Sequence, residues 1–451
     1  MTLSSLLNIL ISALLGIFVL GVLVIVHELG HFLVAKWCGI RVLAFSVGFG
    51  KSIFTRTCGG TEYRISAIPF GGYVHMAGEH PEDGISGDPG EFTAKPIWQR
   101  ALVAFAGPTA NALFAIATLW LVFILGTERP LYLDNPVIGG TLDSSSARAA
   151  GFLPGDSILS INGKSVSSWD DIENFLIRQD REYSFQVRRD DSVVSKTLAT
   201  RMPSGTQLPT PNNGLLPAPP SLVGSIVSSS PAQQAGLMPH DLIVSINGDS
   251  VASWYQVSQI ISHYDTSKGP MRLLVRRADS VVTLSVMPRY SEKDQRFLAG
   301  IGPAKWPSRI VKSSPGKAVG QAIDKAREDA VMIFVVIKKL VIKEVSAEQL
   351  SGPVGIVQMS GAIALLGLSP ILLFMALIGI NLAVLNLLPL VITDGGLLLF
   401  LLIEAIRRKP LPLKSQLLIN RIAITFFIAL FLYVTFNDIK RIPMLYQVFG
   451  K

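Results

Sequence analysis

Only two cysteines occur among 451 residues, Cys38 and Cys58. That scarcity excludes a disulfide-stapled scaffold, and the pair lacks the spacing of a thiolate zinc site, so both are expected as free thiols. Charge is scarce too: 16% of residues are Asp, Glu, Lys or Arg against 49% hydrophobic, with a mean hydropathy of +0.45. A chain this long and this apolar is neither disordered nor a single soluble domain, and it must hold several membrane spans. No Lys or Arg precedes Lys36, so the basic region of a cleavable signal peptide is missing and the first apolar run is expected to remain as an anchor. The net charge of +8 does not argue for nucleic acid, because the basic residues stand largely beside apolar runs, where they set topology.

What is present is organised around His27-Glu28-Leu29-Gly30-His31. Between residues 6 and 35, Glu28 is the only formally ionised side chain. A helix of that length, at about 1.5 Å per residue, crosses a hydrocarbon core of roughly 30 Å. On it His27 and His31 share one face, one turn apart. Two neutral imidazoles so placed can hold Zn²⁺, and the adjacent carboxylate can take a proton from an attacking water. An ionisable group at the centre of a membrane helix costs about 2.5–3.5 kcal/mol on insertion scales, which favours function over chance.

Catalytic zinc takes three protein ligands and keeps one position open, so a third ligand is expected elsewhere at membrane depth. Asp394 fits best, since it follows a Pro-broken helix, where unwound backbone lines cavities. Its competing reading is an N-cap for the next helix. Asn381 and Asn386 could position a substrate carbonyl or equally bond between helices. His75 and His80 read as solvated loop histidines rather than ligands.

Along the chain, residues 1–37 form the first span. Residues 38–100 follow as a cytoplasmic region by their Lys and Arg content, with strands at 42–54 and 63–76, punctuated by glycines and dipping toward the membrane. The second span covers 101–126. Its Ala106-Gly107-Pro108-Thr109-Ala110-Asn111 offers small residues for close helix contact and one amide for the bundle interior. Next comes a repeat: Gly151, Asp156, Asn162-Gly163 and Trp169 recur 85 positions later as Gly236, Asp241, Asn247-Gly248 and Trp254. Each copy predicts a strand entering an Asn-Gly hairpin turn and closes on a basic strand, Val187-Arg188-Arg189 or Val275-Arg276-Arg277. The copies occupy 135–203 and 219–290, with a Pro/Gly-rich linker at 202–221. Residues 308–350 read as an amphipathic helix on the outer membrane face, and the Gly-rich 352–366 hugs the membrane. The third span, 369–406, breaks at Asn386-Leu387-Leu388-Pro389 and resumes after Thr393-Asp394-Gly395-Gly396. The fourth span, 418–437, returns the C-terminus outside. The expected fold is a polytopic α-helical membrane protein with four transmembrane helices, a membrane-associated β-hairpin region and two tandem extracytoplasmic α+β repeats.

The repeat resembles PDZ domains of the circularly permuted bacterial kind, which implies a groove that binds an extended peptide at a sheet edge. The whole chain resembles the site-2 protease family of intramembrane zinc metalloproteases. The resemblance rests on His27-Glu28-Leu29-Gly30-His31, Phe45-Ser46-Val47-Gly48-Phe49-Gly50, Phe70-Gly71-Gly72-Tyr73-Val74, Ala106-Gly107-Pro108, the repeat, and Asn386-Leu387-Leu388-Pro389 with Asp394-Gly395. It implies that His27, His31 and Asp394 are zinc ligands, that Glu28 is the general base, and that Asn386 and Pro389 help bind substrate. The implied activity is cleavage of transmembrane segments of single-span proteins, such as an anti-sigma factor already cut outside the membrane, or remnant signal peptides. That would place the chain in a bacterial inner membrane and an envelope stress response, with both termini and the PDZ-like repeats periplasmic and the active site toward the cytoplasm. Membrane lipid is its expected surrounding, and nucleic acid is not an expected partner. Two positions depart from the family pattern: Val391 stands where a second proline is usual, and Thr393 where Leu is usual. The alternative is a PDZ-based membrane scaffold with a structural metal, against which Glu28 argues, since a structural site needs no base.

Overall fold

Among the described residues, seven helices and one hairpin make up the first of two compact units, formed by Met1–Thr127 with Lys312–Lys451; Glu128–Val311 forms the second. The structure, a computed structural model, describes residues 3–79, 86–143, 145–176, 182–199, 214–292, 296–342, 352–364, 366–391 and 393–440. His80 therefore lies outside the described residues, as do 343–350 of the expected amphipathic helix and 202–213 of the expected linker.

In the first unit, α1 (Leu3–Trp37) is followed by β1 (Val42–Cys58), β2 (Thr61–Met76) and α2 (Ile97–Leu125). After the second unit come α3 (Pro315–Val341), α4 (Pro353–Ala364), α5 (Leu368–Leu387), α6 (Asp394–Arg407) and α7 (Leu413–Lys440). Four of these are long and apolar enough to cross a membrane: Leu14–Trp37 within α1, all of α2, all of α5, and Lys414–Ile439 within α7. The chain is a polytopic membrane protein.

Gly59 and Gly60, both at positive φ, close β1 onto β2 in a tight turn. The hairpin then curls on itself. Segment 44–47 pairs with 62–65 on one side and with 72–75 on the other, so 72–75 becomes the outer segment. Gly48 permits the bend: its φ is +88°, and a Cβ there would meet the Ile68 carbonyl oxygen at 2.6 Å.

Helix α3 starts at Pro315, not at Ser308. Ser308–Val311 is instead a strand beside Thr127–Pro130, and Pro315 at the first helical turn suits a start there. Its Ala322 and Ala326 pack on Ala115 and Leu119 of α2 and on Ala376 and Ile380 of α5.

In the second unit each repeat builds a four-stranded antiparallel sheet, Lys164–Ser165, Ser157–Ile161, Glu182–Arg189 and Ser192–Ala199 in the first. Asn162-Gly163 and Asn247-Gly248 take positive φ at both residues, as a two-residue hairpin turn requires. The basic strands do not close the copies. Each is flanked on both sides in its sheet, and a further strand, Leu215–Pro217 or Ile301–Pro303, returns to pair with Ile138–Thr141 or Val223–Ile226. The first of those returning strands occupies part of the expected linker. Arg189 and Arg277 point back to grip the buried Asp156 and Asp241 in bidentate pairs at 2.7–2.8 Å.

Candidate active site

Helix α1 presents both imidazoles toward α2. Gly107 makes that approach possible: a Cβ on it would lie 2.3 Å from His31 Nε2 and 2.8 Å from His27 Cε1. Gly30 does the same from the other side, its Cβ position lying 2.4 Å from the Ala106 carbonyl oxygen. The two helices thus cross where neither carries a side chain. The sequence marks Gly107 as a small residue at a helix contact and holds no sign that the contacting group is a histidine ring.

The third group arrives with α6. Helix α5 ends at Leu387, and the chain turns through Leu388 to Leu390 before α6 begins at Asp394. Polar groups freed at this break are satisfied locally, as apolar surroundings demand. Thr393 Oγ1 donates to the carbonyls of Leu388 at 2.9 Å and Leu390 at 2.8 Å, and the Thr393 N–H donates to Leu390 as well. Thr393 takes the N-cap position, leaving the Asp394 carboxylate to point elsewhere. Gly395 and Gly396 let the new helix sit on the turn, because a Cβ on either would meet the Leu388 or Leu390 oxygen near 2.1–2.2 Å. At its far end α6 is tied to α2 by Arg100, which grips Glu404 through two bonds of 2.6 and 3.1 Å.

These elements bring His27, His31 and Asp394 together. His27 Nε2 lies 3.2 Å from Asp394 Oδ2, His31 Nε2 lies 3.3 Å from Oδ1, and the two Nε2 atoms are 3.2 Å apart. A tetrahedral zinc with bonds of about 2.0–2.1 Å holds its ligands roughly 3.3 Å from one another. The donor set fits such an ion in chemistry and spacing. His31 is set for it, since Nδ1 bonds the Val103 carbonyl at 2.7 Å and leaves Nε2 free of its proton. Among the described residues no other group of three His, Cys, Asp or Glu side chains converges this way.

Glu28 shares a cavity of about 360 Å³ with the triad, lined also by Tyr73, Val74, Asn386 and Thr393. A Cβ on Gly72 would lie 3.4 Å from Glu28 Cγ, so segment 72–75 runs beside the base. Asn386 thus lies at the cavity. Asn381, five residues earlier on α5 and about 7.5 Å along its axis, does not line it. Pro389 lines a different, apolar cavity of about 320 Å³, with Leu390 and Val391 on one side and Ile419, Ile422 and Phe426 of α7 on the other. His75 pairs with Ala44 within the hairpin and is outside the triad. Both cysteines are free, Cys38 buried and Cys58 exposed.

A family model described as peptidase family M50 matches residues 15–430. The chain is 36% identical to Protease RseP of Yersinia pestis and 32% identical to Regulator of sigma-E protease RseP of Escherichia coli, each time over 94% of this chain and 97% of the relative. A Vibrio cholerae relative, 35% identical over 94% of this chain and 98% of its own length, is provisionally named a zinc metalloprotease.

Proposed function

The chain belongs to peptidase family M50 and is a metalloprotease of the site-2 type, and from that premise we propose that it cleaves transmembrane segments of single-span membrane proteins inside the bilayer. His27, His31 and Asp394 hold its zinc. The observation that carries this reading is the mutual spacing of their donor atoms, 3.2–3.3 Å, which equals the ligand separation of a tetrahedral zinc site. When bound, zinc supplies Lewis-acid polarisation of the scissile carbonyl and brings the pKa of water to about 7.

Glu28 does the proton work. It accepts a proton from the attacking water and returns it to the leaving amine, from its place on the cavity wall beside segment 72–75. A helical substrate hides its carbonyls in hydrogen bonds and has to unwind first. Segment 72–75, as the outer strand at the cavity, is a template against which the unwound stretch can add as a strand. Asn386 can hold a substrate carbonyl, and the apolar cavity at Pro389 suits the side chains of a membrane-embedded residue.

The physiological substrate is an anti-sigma factor first cut outside the membrane, with remnant signal peptides as a second class, in an inner-membrane envelope stress response. The two repeats act as periplasmic PDZ-like gates on substrate size. Co-expression with a single-span substrate tests the core of this reading. Glu28→Gln should keep zinc and lose cleavage, because an amide cannot accept the proton. Asp394→Asn should lose zinc and cleavage together while still inserting. Full zinc in Asp394→Asn would remove it from the ligand set.

A further inference from the structure

Asn111 has no role in the reading above, yet it sits at the triad. It lies on α2 one turn beyond Gly107, is 1% exposed, and its side-chain nitrogen is 3.4 Å from His27 Nδ1. Its Oδ1 is buried with no hydrogen-bond partner. An amide acceptor stranded in apolar surroundings costs on the order of 1–3 kcal/mol, so it calls for an explanation.

The chemistry of His27 supplies one. Its Nε2 faces Asp394 and His31, so with a cation between them that nitrogen carries no proton, and the proton resides on Nδ1. An amide NH₂ opposite an Nδ1–H sets two donors head to head. Turning the amide by 180° exchanges nitrogen and oxygen, which such residues do with little change in shape. Oδ1 then accepts from His27 Nδ1–H, and the stranded acceptor gains its partner. His31 already has the matching arrangement through the Val103 carbonyl.

We infer that Asn111 is the positioning residue for His27: its side-chain oxygen accepts the Nδ1–H bond, which fixes the imidazole's tautomer and ring orientation so that Nε2 faces Asp394 and His31. The inference rests on the reading of His27, His31 and Asp394 as zinc ligands. Helix α2 thereby orients both histidines of α1, one through a backbone carbonyl and one through a side chain.

The test is zinc affinity of the purified full-length protein in detergent, measured by competition with a chelator, for the native chain, Asn111→Leu, Asn111→Asp and His27→Ala. Leu keeps the volume and removes the acceptor, and should weaken zinc retention by about 10- to 100-fold, the usual effect of losing an outer-shell partner. Asp keeps the shape but offers only acceptors, so it should bind at least as tightly as the native chain, which a role for the amide as donor to His27 would not allow. Cobalt(II) in place of zinc should show altered d–d absorption in Asn111→Leu and native-like bands in Asn111→Asp. Native affinity in Asn111→Leu, with His27→Ala depleted, overturns the inference and leaves the ligand set standing. Weakening in both Leu and Asp variants also overturns it, since an acceptor of the same shape then fails to hold His27. Undiminished zinc in His27→Ala removes the ligand reading, and Asn111's role falls with it.

Discussion

Replacing Gly107 by alanine should separate stability from catalysis. The added methyl would lie 2.3 Å from His31 Nε2, 2.6 Å from His31 Cε1 and 2.8 Å from His27 Cε1, whereas ordinary contacts begin at 3.4 Å. The imidazoles must therefore retreat by roughly 1 Å to reach normal van der Waals separation. His31 cannot slide freely, because its Nδ1 is held by Val103 on the same helix that carries the new methyl. A misplacement of about 1 Å at a reacting centre can cost about 100-fold in rate. Against this, alanine is the better residue for a helix interior by about 0.5–1 kcal/mol, and Gly107 has no positive φ to forbid it. Gly107→Ala should thus insert and melt within a few degrees of the native protein, yet lose zinc retention and at least about 100-fold of its cleavage rate. The assays are zinc content by mass spectrometry, thermal unfolding in detergent, and time courses of cleavage of a single-span substrate. Native zinc content with a rate within about twofold of native would refute the steric argument.

Two further perturbations test the frame around the site. Arg100 and Glu404 are only 11% and 18% exposed, so Arg100→Met should strand the carboxylate at a cost of about 3–5 kcal/mol, and the double change to Met at both positions should recover most of it; a double-mutant cycle on thermal inactivation that shows simple additivity would count against the pair. In the second repeat, burial pushes the Asp241 carboxyl up, but the Arg277 guanidinium and the Met238 N–H outweigh it and hold its pKa below the usual value. A carboxyl depressed on folding stabilises above its unfolded pKa of about 3.9 and loses that contribution as pH falls through the lower folded value. Asp241→Asn should therefore reduce hydrogen-exchange protection of strands Leu242–Ile246 and Met271–Arg277 at pH 7, with the difference from the native chain shrinking toward pH 3; an equal loss at both pH values would show that charge is not the cause.

The long apolar helices were legible because span length and charge depletion are local properties, and His27 with His31 shares a face by helical period alone. The Asn-Gly turns were equally local. Less legible were features made by distant segments. The return of Leu215–Pro217 to Ile138–Thr141 crosses a Pro- and Gly-rich stretch that looks like a spacer, and nothing in its composition announces a strand. Ser308–Val311 continues a polar, helix-compatible run and becomes a strand only because Thr127–Pro130 lies beside it. The curl of the hairpin depends on bends at glycines whose φ no pattern of apolar residues encodes. At the site, Thr393 looks like a departure from a family pattern, whereas its hydroxyl closes the turn that presents Asp394, next to Val391 where a proline would otherwise stiffen the chain. Asn111 shows only as an amide inside a helix; its neighbour His27 belongs to another helix and to no shared sequence window.

The order of these elements along the chain has a bearing on biosynthesis. On the proposed ligand set, α1 contributes two donors and α6 the third, with the entire second unit encoded between them. A ribosome therefore delivers the histidine pair early and the carboxylate late. A chain that ends before α6 carries two of the three donors and lacks the carboxylate. Competence arises only once translation has passed α6 and that helix has docked on α2. On the proposed ligand set, a copy that ends before α6 is therefore inert.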